Sequence, residues 1–502
     1  MLRQQTYFLW FTLLSLAFAL YLFNPFVLYF LNDDFIHIPL SRDGVLFQRN
    51  SFRPMGDLSI RMDYLLWGKK AWGYHLTNLL LHILNTAFVY LLAKALFKKY
   101  TETEQIERTS LMVSVLFFVF AFHSESIFWI IGRSGSLGSL FFLLSLLFYL
   151  QRGKGILVFL SSLWFFEIGM LAYESVWIFP LVALAISVVD YKLGKATLKK
   201  EMAYLASISI VFILHLIVRK QVIGEVLGGY EGIHFTQFNL PILAINFLKL
   251  VGRAFIPPVA DQTVFVGCCV LLVVIIVIVI VLVRKKMKQQ NQGYFLQLII
   301  CFLFLSILPY VSLGIDTHSV EGERYLYLPS IFASLAIVLV IQKVIRAKRL
   351  QLVLFSFIVL FHLYFLRQSA QSYRIASSIT KTTLAQINLL KGKRRLFVDS
   401  LPQSNNGALV FRLGFEEGID WLKEAGGIDS VFVLSLKSKN NFGGTPYKIE
   451  MVTGVKPLLA GSVLIRDPAQ KQTYISVKSA INFTPSTDAR FIFKNDRLQV
   501  VK

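Results

Sequence analysis

Apolar runs recur along most of this 502-residue chain, near 7–31, 72–93, 109–122, 135–150, 155–171, 176–190, 202–218, 262–283, 293–313, 329–341 and 352–366. A bilayer core takes about 20 apolar residues of helix to cross. Inside it every backbone group must be paired within the protein, which favours helices over irregular chain. We therefore expect an all-α polytopic membrane protein of about 11 transmembrane helices, ten and twelve being the neighbouring counts. The composition agrees, at 55% hydrophobic and 16% charged. An ordinary soluble domain carries roughly 25% charge. No small-residue cleavage site follows the first run, so 7–31 reads as a retained span.

The charges test this map. Taking 1–6, 94–108, 151–154, 191–201, 284–292 and 342–351 as cytoplasmic gives them 19 Lys and Arg in 55 residues. The opposite connections, 32–71, 123–134, 172–175, 219–261 and 314–328, hold 12 in 114. Basic residues concentrate on the cytoplasmic side of membrane proteins, so the N-terminus is expected inside and the segment after 366 outside. Much of the net charge of +22 is then topological, and no nucleic-acid partner is expected.

The outer connections carry the side chains that chemistry uses. Asp33 and Asp34 directly follow the first run. An acid at membrane depth costs roughly 2.5–3.5 kcal/mol on insertion scales, which makes such residues functional candidates. Capping of the next helix is their plainer reading. Residues 123–134 bring His123, Glu125 and Arg133; 172–175 bring Tyr173 and Glu174; 314–328 bring Arg324, Tyr325 and Tyr327. Arg133 and Arg324 are the only basic residues of their connections, and Arg53 stands in the first one. Interfacial snorkelling is the plain alternative for the arginines, and an aromatic belt for the tyrosines. Glu167 lies within a run, seven residues and so two helical turns before Glu174. A protonated, hydrogen-bonded buried acid is its plainer role.

Four segments carry a resemblance. These are RPMGDLSIRMDYLLWGKKAWGYHLTNLLLHILNTAFVYLLAKALF, HSESIFWIIGRSGSLGSLFFLLSLLFYL, YESVWIFPLVALAISVVDY and ERYLYLPSI. In this order they resemble polytopic C-type (GT-C) glycosyltransferases, in particular the transmembrane O-mannosyltransferases with tetratricopeptide tails and their bacterial membrane-only cousins. The similarity covers roughly 25–345 of the sequence, and the repeats are absent. Tyr173 stands where many relatives have Lys, which puts donor identity in question.

The resemblance implies an inverting sugar transfer from a polyprenyl-phosphate carrier to a protein, glycan or lipid acceptor at the extracytoplasmic face, with membrane lipid as surroundings. An acceptor hydroxyl benefits from a carboxylate that takes its proton as the bond forms. Asp34 or Asp33 would be that base, with Asp34 favoured. Arg133, Arg324 and Arg53 would hold the donor phosphate, since a guanidinium clamps phosphate oxygens in a fork. Glu125, Glu174, His123, Tyr325 and Tyr327 would line the site. No metal is expected to be obligatory, although paired carboxylates leave Mg²⁺ or Mn²⁺ open. The compact loops and missing repeats suggest a bacterial inner membrane.

Cys268, Cys269 and Cys301 all fall within apolar runs and read as filler. Beyond 366 the apolar runs shorten to strand length: Leu396–Val398, Ser430–Leu436, Tyr447–Val452 and Thr473–Val477. With an amphipathic helix at 415–425 they suggest a small C-terminal α+β extracytoplasmic domain. The expected division is a membrane domain over 1–366, a helical linker over 367–392 and a mainly β domain over 393–502. Two other functions fit less well. A sugar-lipid transporter or flippase would favour mid-membrane polar residues in paired halves, and a non-catalytic scaffold has no need of the acids and arginines.

Overall fold

A computed structural model describes residues 19–46, 52–101, 105–224, 226, 239–286, 290–390, 392–399, 401–422, 430–433, 436–437, 458–465, 473–482, 486–494 and 497–500. The chain divides into two compact units, Met1–Phe26 with Leu40–Gln371, and Val27–Pro39 with Ser372–Lys502. In chain order the helices are α1 (Asp34–Arg42), α2 (Pro54–Trp67), α3 (Ala71–Tyr100), α4 (Ile106–Phe118), α5 (Ser124–Phe128), α6 (Arg133–Leu150), α7 (Ile156–Met170), α8 (Phe179–Lys192) and α9 (Leu198–Ile223). They continue with α10 (Leu240–Arg253), α11 (Gln262–Lys286), α12 (Gln290–Ile307), α13 (Tyr327–Val344), α14 (Lys348–Asn388) and α15 (Phe415–Leu422).

Among the described residues, seven helices are long and apolar enough to cross a membrane. The number is eight if Ile106–Phe118 and Ala121–Phe128, bent by 60° at their junction, form one broken span. Ile156–Met170 and Gln262–Val274 are apolar but shorter. The protein is therefore predominantly helical and membrane-integral. The first expected run differs from the structure. Its described helix stops at Phe23, because Asn24 turns to φ 34° and Pro25, which disfavours helix in the residue before it, follows.

The bend after α4 is held by a polar stripe on α3. Asn78, His82 and Asn85 fall at helical spacing on one buried face. The Asn78 side-chain amide donates to the carbonyls of Ile127 (3.3 Å) and Trp129 (3.0 Å), and that of Asn85 donates to Ser136 (2.9 Å). The His82 ring bonds the Phe118 carbonyl at 3.0 Å and the Tyr327 hydroxyl at 2.8 Å. A broken helix in an apolar core leaves carbonyls without partners, and this stripe supplies them.

Opposite ends of the same helices carry two ionic clusters. One gathers Lys99 and Tyr100 at the end of α3, Arg152 after α6, Asp190 on α8 and Glu201 on α9. Arg152 lies 2.8 Å from Asp190 and 2.7 Å from Glu201, and Lys99 lies 2.7 Å from Asp190. Tyr100 adds a hydroxyl donor to Asp190, and Ser187 one to Glu201. Two cations balance two anions, the condition under which charges tolerate burial. The other end carries the candidate site.

In the second unit, β1 (Arg395–Asp399) lies parallel to both β2 (Ser430–Val433) and β5 (Asp488–Lys494), and β6 (Arg497–Val500) pairs antiparallel with β5. A parallel central strand is buried on both faces and reads as a continuous apolar run; Leu396, Phe397 and Val398 are fully buried. A separate antiparallel hairpin joins β3 (Leu458–Ile465) and β4 (Thr473–Asn482). The expected strand at 447–452 lies outside the described residues. Sequence reading set no boundary at 26–27 or 39–40. Asn32 explains the grouping of 27–39 with the later chain: its N–H donates to Val410 at 2.9 Å and its side chain accepts from Leu413 at 2.7 Å. Phe30 and Phe35 pack edge-on to Trp421.

Candidate active site

Two elements of the first unit converge on Glu174, which opens the turn before α8. Arg53, just ahead of α2, places its guanidinium 2.8 Å from Glu174 Oε2, donating from both Nε and Nη2. Arg219, near the C-terminal end of α9, reaches Glu174 Oε1 at 3.5 Å. The cationic side chains are steadied by ring faces, Arg53 over Tyr173 at 4.7 Å and Arg219 over Trp177 at 5.3 Å. Arg219 is buried, whereas Arg53 and Glu174 keep about a fifth of their side-chain surface open. Two guanidiniums around one carboxylate leave a local excess of positive charge with a route to the outside.

Asp57 sits one turn after Arg53 on α2. The Met55 N–H donates to Leu171 at 3.1 Å, so this first turn is pinned to the segment that carries Tyr173 and Glu174. Burial pushes the Asp57 carboxyl up to about 7, against the opposing pull of Arg53. Its Oδ2 is buried with no hydrogen-bond partner among the described residues.

A run of stacked tyrosines leads away from Arg53. Tyr173 lies 6.1 Å from Tyr310, and Tyr310 stacks on Tyr325 at 4.7 Å. Arg324 covers Tyr325 at 4.7 Å and Trp129 at 5.2 Å. Its Nη1 meets Glu125 at 2.9 Å, while Glu125 also accepts from the backbone N–H groups of Gly322 (3.0 Å) and Arg324 (3.1 Å). Close approach at α6 permits this geometry. A Cβ on Gly132 would stand 2.1 Å from the Glu125 carbonyl, and one on Gly135 2.9 Å from Ser126 Oγ.

The sequence-selected residues thus divide. Arg53 meets Glu174, and Arg324 meets Glu125 and Tyr325, as partners. Arg133 requires correction: only 1% of its side chain is exposed, and it pairs with Asp63 at 2.5 Å and donates to the Tyr74 carbonyl at 3.0 Å. It fastens α6 to α2 and α3 and is closed off from a donor phosphate. His123 and Tyr327 also belong to the core, His123 bonded to Ser330 at 2.6 Å and Tyr327 to His82. Tyr325 is buried in the tyrosine stack.

Asp33 and Asp34 lie in the second unit and differ from each other. Asp34 is fully buried and its Oδ2 accepts the Leu31 N–H at 2.8 Å, a local turn role. Asp33 has one oxygen 3.8 Å from His37 Nε2, and its Oδ1 has no hydrogen-bond partner among the described residues. Of the two, Asp33 has the less committed carboxylate.

Sequence reading did not select Asp57, Asp63, Arg219, His215 or Arg253 for the site. Arg219 is four residues after His215 on α9, and this spacing was the available signal. His215 bonds Glu167 at 3.0 Å. Both border a cleft of about 660 Å³ between α7 and α9, whose remaining lining includes Leu157, Leu160, Trp164, Leu214 and Val218. Arg253 pairs with Glu323 at 2.8 Å in full burial. Among the described residues, no three His, Cys, Asp or Glu side chains come together as metal ligands would.

Comparison with known proteins bears on this arrangement. No protein-family model matches the chain. Protein O-mannosyl-transferase tmtc2 of Xenopus laevis is 38% identical over 120 residues, 24% of this chain and 13% of the relative. Protein O-mannosyl-transferase TMTC3 of Homo sapiens is 32% identical over 123 residues, 24% and 12% respectively. The curated relatives are O-mannosyl-transferases. The chain matches only about an eighth of their length. Among solved structures, ArnT of Cupriavidus metallidurans bound to undecaprenyl phosphate matches 82% of this chain and 87% of its own at 11% identity and a TM-score of 0.44. The arabinofuranosyltransferase AftD from Mycobacteria matches 80% and 30% at 14% identity and 0.43. Scores this low do not establish a common fold.

Proposed function

We propose that this protein is an inverting C-type glycosyltransferase that moves a sugar from a polyprenyl-phosphate carrier to an acceptor at the extracytoplasmic membrane face. The observation that carries the reading is the convergence of Arg53 and Arg219 on Glu174 at one end of the helices. A lipid phosphate would displace Glu174 from part of this double guanidinium and be held in its place. Charge developing on the departing phosphate is stabilised by fixed cations. The apolar cleft between α7 and α9 suits an isoprenoid chain, and His215 and Arg219 lead from it towards the cluster. Arg324, held by Glu125, is the remaining donor-side cation.

In the transfer the bond between the anomeric carbon and the phosphate oxygen breaks, the electron pair staying with phosphate. The acceptor oxygen bonds to the opposite face of the anomeric carbon, and Asp33, one of the two acids that the sequence resemblance offers for the role, takes its proton. Mannose is the first sugar to try, given the relatives' names. The reading includes about 11 spans, a cytoplasmic N-terminus, an extracytoplasmic α+β domain over 393–502 and a bacterial inner membrane. Binding of polyprenyl phosphate to purified protein tests the phosphate site. Arg53→Ala and Arg219→Ala should each weaken binding at least about tenfold, the scale of a lost charge-assisted hydrogen bond. Unchanged binding in both variants would refute the assignment.

A further inference from the structure

We propose that Asp57 is the proton donor to the departing phosphate, delivering its hydrogen to the oxygen released from the sugar. This rests on the phosphate site proposed for Arg53, Glu174 and Arg219. Three observations lead to it. Asp57 follows Arg53 by one helical turn, and its N–H bonds the Arg53 carbonyl. The turn that carries both is tied to the Glu174 segment through Met55 and Leu171, and Gly56 between them comes within 3.5 Å of Ser134 Oγ at its Cβ position. Finally, Asp57 Oδ2 is buried without a hydrogen-bond partner among the described residues. A buried carboxyl oxygen left unpaired is costly to the fold, and a proton with a waiting acceptor accounts for it.

The chemistry balances. Cleavage turns a phosphodiester monoanion into a monoester whose second ionisation lies near pH ~6. Asp57 gives its proton to that oxygen and becomes a carboxylate, while Asp33 gains the acceptor's proton. Water then returns the two carboxyls to their starting states. Burial raises the Asp57 carboxyl to about 7, against the pull of Arg53, which favours its protonated form relative to an ordinary carboxyl. A general acid works best when its ionisation lies near the working pH. The titratable groups nearest on elements packed around α2 include Tyr74 and His75 on α3, Arg133 on α6, Tyr173 and Glu174 ahead of α8, and on α2 itself Arg61, Asp63 and Tyr64. Arg133 is taken up by Asp63 and Arg53 by Glu174.

The test is the pH dependence of kcat between pH 5.5 and 8.5 for full-length wild type, Asp57→Asn, Asp57→Ala and Asp57→Glu, with lipid-phosphate binding measured alongside. Wild type should lose rate as pH rises through about 7. Asp57→Asn should lower kcat roughly 10²-fold with the same affinity for lipid phosphate and no alkaline fall. Asp57→Ala should do the same, and Asp57→Glu should restore a titrating limb. An Asp57→Asn enzyme that keeps the wild-type limb overturns the inference, as does a rate loss that follows weaker phosphate binding. If Arg53→Ala and Arg219→Ala both retain phosphate binding, the underlying site assignment fails instead. Thermal unfolding in detergent separates either result from misfolding.

Discussion

Asp33 and Asp34 are adjacent in sequence, yet their carboxylates have different company. Asp34 accepts a backbone N–H in full burial, so Asp34→Ala should cost about 1–2 kcal/mol of stability and leave residual transfer in whatever folds. Asp33→Asn should leave stability nearly unchanged and lower transfer by about 10²-fold or more. Thermal unfolding and initial rates on the same preparations check both. Asp57 adds a pH dependence of stability. Its native carboxyl is raised to about 7 from an ordinary value of 3.8, so its stabilising protonated state is fully present below about 4. That contribution falls as pH rises towards 7 and is gone above it. Asp57→Asn should remove this decline, read as the difference in unfolding midpoint between pH 5 and pH 8. At this scale the sequence pointed to segments rich in acids, arginines and aromatics but not to the partners each side chain takes. Arg133 and Arg324 looked alike, each a lone arginine at the start of a span, and each pairs with a carboxylate; what separates them is exposure, 1% of the Arg133 side chain against 18% of that of Arg324.

Elements were more legible than residues. The 3.6-residue apolar runs fall on described helices from α3 to α14, and the short apolar run at 396–398 is a buried parallel strand. The break between α4 and α5 was missed, because local hydropathy continues across it. Its cause is on another helix, the Asn78, His82 and Asn85 face of α3. Asn78→Leu should strip donors from the Ile127 and Trp129 carbonyls, costing about 1–3 kcal/mol for each one left unsatisfied. Transfer should fall with it, since α5 carries Glu125. The ionic cluster at the far helix ends makes a contrasting case. Asp190→Ala would leave Arg152 and Lys99 short of a counter-charge and should cost about 3–5 kcal/mol. The fraction that folds should bind lipid phosphate normally, which a binding titration on heat-cleared protein can show.

For the molecule as a whole, charge asymmetry predicts an orientation that can be checked without any activity. In a chain whose native cysteines are replaced, Asp43→Cys on an outer connection should react with an impermeant thiol reagent in intact cells. Lys199→Cys, on a basic connection, should react only after permeabilisation. The sequence hid one large-scale feature: residues 27–39, which begin inside the first apolar run, group with the chain after 371. That grouping depends on Asn32 and on the Phe30 and Phe35 packing against Trp421, contacts across nearly four hundred residues that no local pattern announces.

The most direct measurement is sugar transfer from polyprenyl-phosphate mannose, and then from other polyprenyl-phosphate sugars, in membranes containing wild type, Arg53→Ala or Asp33→Asn. The proposed mechanism predicts transfer by wild type and a loss of about 10²-fold or more in each variant at equal expression. Undiminished transfer in both variants, or none by wild type from any donor, would contradict it.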